Sequence, residues 1–411
     1  MNMYAKQRSC VLNEDRLSGL PDDILIHILS LLPLKDAPFI HTLNFDQCMF
    51  PEHDCDYYLE AGRPDYDERF VHSVRHVLLR SKSPTIHKFC LKFHFRLSYS
   101  FWQRTSNSTG IWLYYDFLRS EKRMANEIGT WIQFALNKNL EVLDLSFSEH
   151  GTVGPQALYD LPNCVLSCPH LVELRLTHCT INAKKKSKLK SLKTLYLNNV
   201  VLMDQSMDYI LSGCLMLEEL TLQLCYGHIR VVLLNSNLKT LKLDIGWFRQ
   251  RIHVSCPTLL SLDKSGAVEV LHIANVASIA EVSVNLNLIF DFDVYKDYQG
   301  IRTFLQTFTG AKTLKGSFET IIVYKFDADE YWNMVDAPVQ CLIHHHLKTV
   351  EVAGLVKKKF VIQFLEYLLR HSMVLKKMKI FAKKETSKIF EYEERLLNAP
   401  KASASAAVLF Y

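Results

Sequence analysis

Glycine and proline are scarce, at 14 and 12 residues in 411, so long flexible linkers between modules are not expected. No stretch stays apolar for the roughly 18 residues that announce a membrane helix. Nor does the chain open with a basic segment followed by a small-residue cleavage site, so no secretory leader is expected. The eleven cysteines are odd in number and form no tight framework, which fits reduced thiols in a cytosolic or nuclear protein. Phosphate loops of the form G-x-x-x-x-G-K-[ST], G-x-G-x-x-G turns, H-E-x-x-H pairs and G-x-S-x-G elbows are all missing. With no such constellation, a non-catalytic protein without a cofactor is expected. A formal net charge of +5 is mild for this length and gives no footprint of a dedicated nucleic-acid binder.

What the chain does contain is a repeat. The template L-x-x-L-x-L, with any aliphatic or aromatic residue at the L positions, matches IHKFCL (86–91), LEVLDL (140–145), LVELRL (171–176) and LKTLYL (192–197). It also matches LEELTL (217–222), LKTLKL (238–243), VEVLHI (268–273), IAEVSV (279–284), LKTVEV (347–352) and LKKMKI (375–380). Successive starts from 171 lie 21, 25 and 21 residues apart, inside the period of about 20–29 of leucine-rich repeats. Alternation in the second half of each match predicts a strand. Short helical segments are predicted at the recurring phrases VLSCPHL (165–171), ILSGCLML (210–217) and VSCPTLL (254–260). Longer helices are predicted over Asp67–Arg80, Met124–Asn137, Asp204–Leu211 and Phe360–His371, each before a strand. One unit cannot bury its aliphatic face alone, so neighbours must stack. The expected fold is an α/β solenoid with a curved parallel sheet inside and helices outside.

In such a solenoid the residues between anchors face outward on a concave surface. They are Asp144, Glu173, Arg175, Thr194, Tyr196, Asn198, Glu219, Thr221, Gln223, Lys242 and Asp244, continued by Lys88, Lys92, Glu351 and Lys379. The row is mixed in sign, and solenoids bind macromolecules through this face. It is the expected site of contact with a protein partner.

The N-terminal stretch DRLSGLPDDILIHILSLLPLKDA (15–37) reads as a short helix. Pro21 suits the first helical position, Asp22 and Asp23 complement the helix dipole, and Pro33 disfavours helix at Leu32. Its aliphatic residues cover more than one stripe, and the surplus implies docking onto a partner. This stretch resembles the first half of an F-box. The repeats resemble those of plant-type F-box proteins, and Cys341 to Ile380 is similar to the FBD domain that ends many of them. The resemblance implies a substrate-recognition subunit of a Skp–cullin–F-box ubiquitin ligase, acting in cytoplasm or nucleus. Its partners would be a Skp-type adaptor, through it a cullin, and an unknown protein substrate, with neither membrane nor nucleic acid expected. The implied adaptor-facing residues are Leu20, Pro21, Ile24, Leu25, Ile28, Leu29, Leu32 and Pro33. The expected organisation is a disordered N-terminus (1–14), an incomplete helical F-box segment (15–45), the solenoid (46–338), FBD-like C-terminal repeats or cap (339–395) and a tail (396–411).

The chain departs from the F-box pattern after Ala37, where a basic third helix is absent and Pro38 follows directly. That leaves a second reading, a repeat-domain binding protein or decoy that no longer recruits the ligase. A small-molecule receptor would instead need convergent polar groups in an apolar pocket on the concave face. Cys164, Cys168, His170 and nearby His150 are the nearest thing to a metal cluster, but no second ligand pair follows and Cys168 falls in a repeat phrase. His344, His345 and His346 read as extended chain whose side chains alternate in direction. The run AKKKSKLK (183–190) reads as an exposed loop without the aromatic interleaving of nucleic-acid binders. The aromatic segment from Tyr99 to Phe117 reads either as an apolar hairpin or as a contact loop.

Overall fold

The computed structural model describes residues 41–47, 68–81, 83–95, 108–149, 159–203, 205–227, 230–245, 251–266, 271–274, 276, 278–285, 288–289, 310–318, 321–322, 343–354, 359–382 and 389–411. Thirteen parallel strands form one sheet whose spatial order is the chain order. They are β1 (Thr42–Asp46), β2 (Lys88–Phe95), β3 (Val142–Glu149), β4 (Glu173–Thr177), β5 (Thr194–Asn198), β6 (Glu219–Gln223) and β7 (Thr240–Ile245). After these come β8 (Ser261–Gly266), β9 (Glu281–Asn285), β10 (Thr313–Phe318), β11 (Thr349–Gly354), β12 (Lys377–Ala382) and β13 (Ala407–Phe410).

Period-two alternation decides which way each strand faces. In β4, β5 and β9 the aliphatic residues are buried and the residues between them half-buried. The register stacks the anchors into a row running Leu143, Leu174, Leu195, Leu220, Leu241, Leu262, Val282, Leu314, Val350, Met378. All ten are buried. Burying one such side chain stabilises by about 1.5–3 kcal/mol, so this row and its twin two residues on supply the bulk of the driving force.

The helices cover the buried face. In α1 (Glu68–Arg80), Phe70, Val74 and Leu78 recur every fourth residue and are buried. In α2 (Ser108–Leu136), Met124, Ile128, Trp131, Ile132 and Ala135 do the same. Phe70 meets Phe93 of β2 and the edge of Trp131, at ring-centroid distances of 6.0 and 6.3 Å. Arg75 donates to Glu127 at 2.7 Å and so ties α1 to α2. α3 (Ser206–Leu211) follows β5, and α4 (Ile343–His346) precedes β11. Near the end of the chain, α5 (Lys359–His371) and α6 (Ile389–Leu397) are joined by Arg395 and Glu366 at 2.6 and 3.0 Å.

Several expectations need correction. The 268–273 match is not in the main sheet: Leu271–Ala274 pairs with Arg251–Ser255, which pairs with Arg230–Leu233, in a separate outer sheet. The inner strand of that repeat is β8, hidden because Lys264 occupies an aliphatic anchor position. Its side chain is wholly buried, and its ammonium donates to the Ser265 carbonyl. Residues 42–45, expected in the helical segment, belong to β1, and the expected tail supplies β13. Residues 108–117 form the start of α2, neither hairpin nor loop. The phrase at 165–171 gives a single 3-10 turn, and the one at 254–260 ends a strand. His344, His345 and His346 lie in the single turn of α4, not in extended chain.

After three successive strands the chain turns through a left-handed residue: His178 (φ 56°), Asn199 (φ 55°) and Leu224 (φ 46°). Their amides donate to Asn198, Gln223 and Asp244 of the next repeat at 3.0, 2.8 and 2.9 Å. An L-residue pays about 1–2 kcal/mol for this conformation, whereas asparagine tolerates it. Leu224 is also exposed, so its side chain adds little burial. Leu224→Asn should therefore raise stability by about 0.5–1 kcal/mol, read from the denaturant midpoint.

Candidate protein-binding surface

The face of the sheet opposite the anchors carries three parallel rows. Glu173, Thr194 and Glu219 fall in the first, and Asp144, Arg175, Tyr196, Thr221 and Lys242 in the second. Asn198, Gln223 and Asp244 fall in the third. All eleven expected positions thus share one face. Lys88 extends the first row, Lys92 the third, and Glu351 and Lys379 the second. The adaptor-facing set from Leu20 to Pro33 lies outside the described residues, as does His150.

The centre of the face is a connected cluster. Arg175 bonds Glu173 two residues earlier on its own strand and lies over the Tyr196 ring, 5.5 Å from its centroid. The Tyr196 hydroxyl donates to Gln223 at 2.8 Å. Asp144 is the register partner of Arg175 on the neighbouring strand. Burial pushes the Asp144 carboxyl up, with Arg175 and Lys88 opposing the rise. The Glu173 bond holds the Arg175 guanidinium above its ordinary value. Burial, helped by Asp144, raises the Cys90 thiol beside it. Arginine and tyrosine presented on a rigid sheet are side chains that dominate protein interfaces. Toward either end, charges pair across strands: Lys92 with Asp46 (3.1 Å), Lys315 with Glu281 (2.6 Å) and Lys379 with Glu351 (2.7 Å).

Spacing indicated the face but not these contacts. Arg175 and Tyr196 sit 21 residues apart, so equal repeat length brings them level; Asp144 joins them across a longer insertion that no template reveals. Lys264 was missed for the same reason that β8 was. Burial lowers its ammonium pKa to about 7, with Asp244 opposing the fall.

The other candidates have structural surroundings. Cys164 is half-buried, Cys168 buried and His170 exposed. Among the described residues no group of three or more His, Cys, Asp or Glu is arranged to hold a metal ion. Cys179, Cys214, Cys225 and Cys256 lie in the core, where burial raises all four thiols, Cys214 and Cys225 to about 12. Such thiols are poor nucleophiles. The basic run is exposed at Lys184, Lys185, Lys186, Lys188 and Lys190, yet it is clamped by buried Ala183, Ser187 and Leu189. The Ser187 hydroxyl donates to Ile210 at 3.0 Å, and the Lys188 amide to Leu166 at 2.8 Å. No helix among the described residues is long and apolar enough to cross a membrane.

Parallel strands in chain order, a leucine ladder behind them and polar rows in front define a leucine-rich-repeat solenoid. Residues 128–285 match the model described as "FBD-associated F-box protein At5g56370, LRR repeats", and residues 337–380 match the FBD model. The chain is 32% identical over 237 residues to the Arabidopsis thaliana F-box/FBD/LRR-repeat protein At5g56420, covering 56% of this chain and 49% of that one. It is 30% identical over 216 residues to At4g00160 of the same kind and organism, covering 51% and 41%. With a third such Arabidopsis protein, At1g13570, it shares 24% identity over 389 residues, covering 90% and 76%. The chain thus carries leucine-rich repeats and an FBD segment similar to those of Arabidopsis F-box/FBD/LRR-repeat proteins. It spans about half or less of the length of the first two relatives.

Proposed function

We propose that this chain is the substrate-recognition subunit of a Skp–cullin–F-box ubiquitin ligase working in the cytosol or nucleus. The observation that supports this most is the open face, where Asp144, Glu173, Arg175, Tyr196 and Gln223 form a linked polar-aromatic patch on a sheet of thirteen strands. Its relatives carry F-box names, and residues 15–37 carry the F-box-like motif. On this reading the chain does no chemistry. The sheet holds a target protein, the N-terminal helix docks the Skp-type adaptor, and ubiquitin transfer by other subunits gains from proximity and orientation.

The departure of the sequence from the F-box pattern after Ala37, where no basic third-helix motif follows, supports a weakened adaptor contact in this polypeptide. Calorimetry against a purified Skp-type adaptor tests both statements, comparing the chain with one carrying a basic third helix inserted between Ala37 and Pro38. The repaired chain should bind at micromolar affinity or better, and Leu25→Asp with Ile28→Asp should abolish that binding. The chain as it stands should bind more weakly. Failure of the repaired chain to bind overturns the ligase reading. Binding by the repaired chain alone assigns this polypeptide to the repeat-domain binders that do not recruit the ligase.

A further inference from the structure

The residue that leads into each strand lies on one rim of the sheet, and the rim has a pattern of charge. Where the rim is charged between β2 and β7, neighbours of opposite kind pair. His87 lies 2.9 Å from Glu141, and Glu218 sits between Lys193 and Lys239 at 3.8 and 2.6 Å. β8 and β9 are entered through uncharged Leu260 and Ala280, and beyond them the charges no longer alternate. The strands β10, β11 and β12 are entered through Lys312, Lys348 and Lys376, all exposed. They are direct neighbours: the Lys348 amide donates to the Lys312 carbonyl at 2.8 Å, and the Lys376 amide to the Lys348 carbonyl at 2.9 Å. Lys377, also exposed, stands beside them at the start of β12. Among the described residues none of these four ammoniums makes an ion pair. On the sheet face a few residues further on, Lys315 and Lys379 each have a glutamate.

Like charges stacked at the strand spacing of about 4.8 Å repel and stabilise nothing in the isolated fold. A carboxylate-bearing ligand would turn that repulsion into attraction. The same rim offers an apolar step: in the turn before β12, Met373 and Val374 are 59% and 37% exposed. A bare phosphate or a nucleic-acid backbone has no use for such a step, whereas an acidic peptide with interspersed aliphatic residues matches both features.

We propose that the rim formed by Lys312, Lys348, Lys376 and Lys377, with Met373 and Val374 beside it, binds an acidic, aliphatic-containing segment of a protein partner. This rim runs along β10, β11 and β12, away from the Arg175–Tyr196 cluster on β4 and β5, with Lys377 alone falling in the first row of that face. The proposal uses neither the cluster nor the adaptor-facing residues, so it stands whether or not the ligase reading holds.

The test uses the full chain and a fluorescein-labelled peptide alternating glutamate and leucine, followed by polarisation. Micromolar binding that weakens with salt is expected. Lys312→Gln, Lys348→Gln and Lys376→Gln together should reduce affinity at least tenfold, with the melting midpoint unchanged or slightly raised because repulsion is relieved. Lys184→Gln, Lys185→Gln and Lys186→Gln together remove the same charge elsewhere and should leave affinity within twofold. Met373→Ser with Val374→Ser should weaken binding without changing its salt dependence. Equal losses in the two triple variants would reduce the effect to net charge and overturn the proposal. So would preference for a single-stranded oligonucleotide over the peptide, or no peptide binding.

Discussion

Replacing Lys264 with methionine should raise stability by several kcal/mol at neutral pH and remove a pH dependence that the parent shows. Lys264 stands where its neighbours in the row carry Leu243 and Val284, with its side chain wholly buried. Its ammonium has an ordinary pKa of 10.5 and a folded value of about 7, with burial the main cause and Asp244 pulling the other way. Above the ordinary value the amine is neutral in both states and carries no penalty. As pH falls toward 7, the unfolded chain takes up a proton that the folded chain refuses, so stability declines. At about 1.36 kcal/mol for each pH unit, the decline totals roughly 4–5 kcal/mol and levels off once the folded amine is protonated too. Methionine has a similar unbranched length and adapts to irregular space, so the core should accept it. Urea titrations at pH 7 and pH 9.5 should show the parent more stable at the higher pH and Lys264→Met less dependent on it. Equal pH slopes in the two proteins would mean that the ammonium reaches water.

Gly213→Ala should act in the opposite direction and strongly. Gly213 follows α3 and packs on Ser187; a β-carbon there would lie 2.7 Å from the Ser187 carbonyl carbon and closer still to its oxygens. Ser187 cannot retreat cheaply. Its amide donates to Tyr209 and its hydroxyl to Ile210, each at 3.0 Å, and the adjoining Leu189 is buried. Two hydrogen bonds at about 0.5–1.5 kcal/mol each, with the repacking cost of an overfilled core, give an expected loss of about 2–4 kcal/mol. Chemical denaturation measures it. Adding Ser187→Ala should not rescue the variant, because the backbone carbonyl stays in place. Full rescue would place the collision on the hydroxyl alone, and a loss under about 0.5 kcal/mol would show that the loop gives way.

Much of this architecture is legible as text. Every L-x-x-L-x-L match but the one at 268 lies in the main sheet, since three apolar residues at that spacing have one common way to be buried together. Three of the four main-sheet strands that escaped, β1 (Thr42–Asp46) being the fourth, share a physical cause. β8 carries Lys264 at an anchor, β10 carries Gly316 at the equivalent position, and in β13 the first anchor is Ser405, whose hydroxyl instead faces the Leu375 carbonyl at 3.4 Å. In each the neighbouring rows supply enough packing to hold a strand that its own sequence does not announce. The same division holds for the candidate surface. Alternation alone shows which residues face out, whereas the stack of Arg175 on Tyr196 and the half-burial of Asp144 depend on side-chain reach across strands. The lysine rim was invisible for a further reason: Lys312, Lys348 and Lys376 are scattered over some sixty residues and become neighbours only through register.

The strict agreement between strand order and chain order has a consequence for how such a protein changes over generations. Every strand touches only the units before and after it, so duplicating or deleting one repeat creates a single new junction between surfaces already suited to each other. Length is thereby an adjustable quantity, and each added unit extends the exposed rows by about one strand spacing without redesign of the interior.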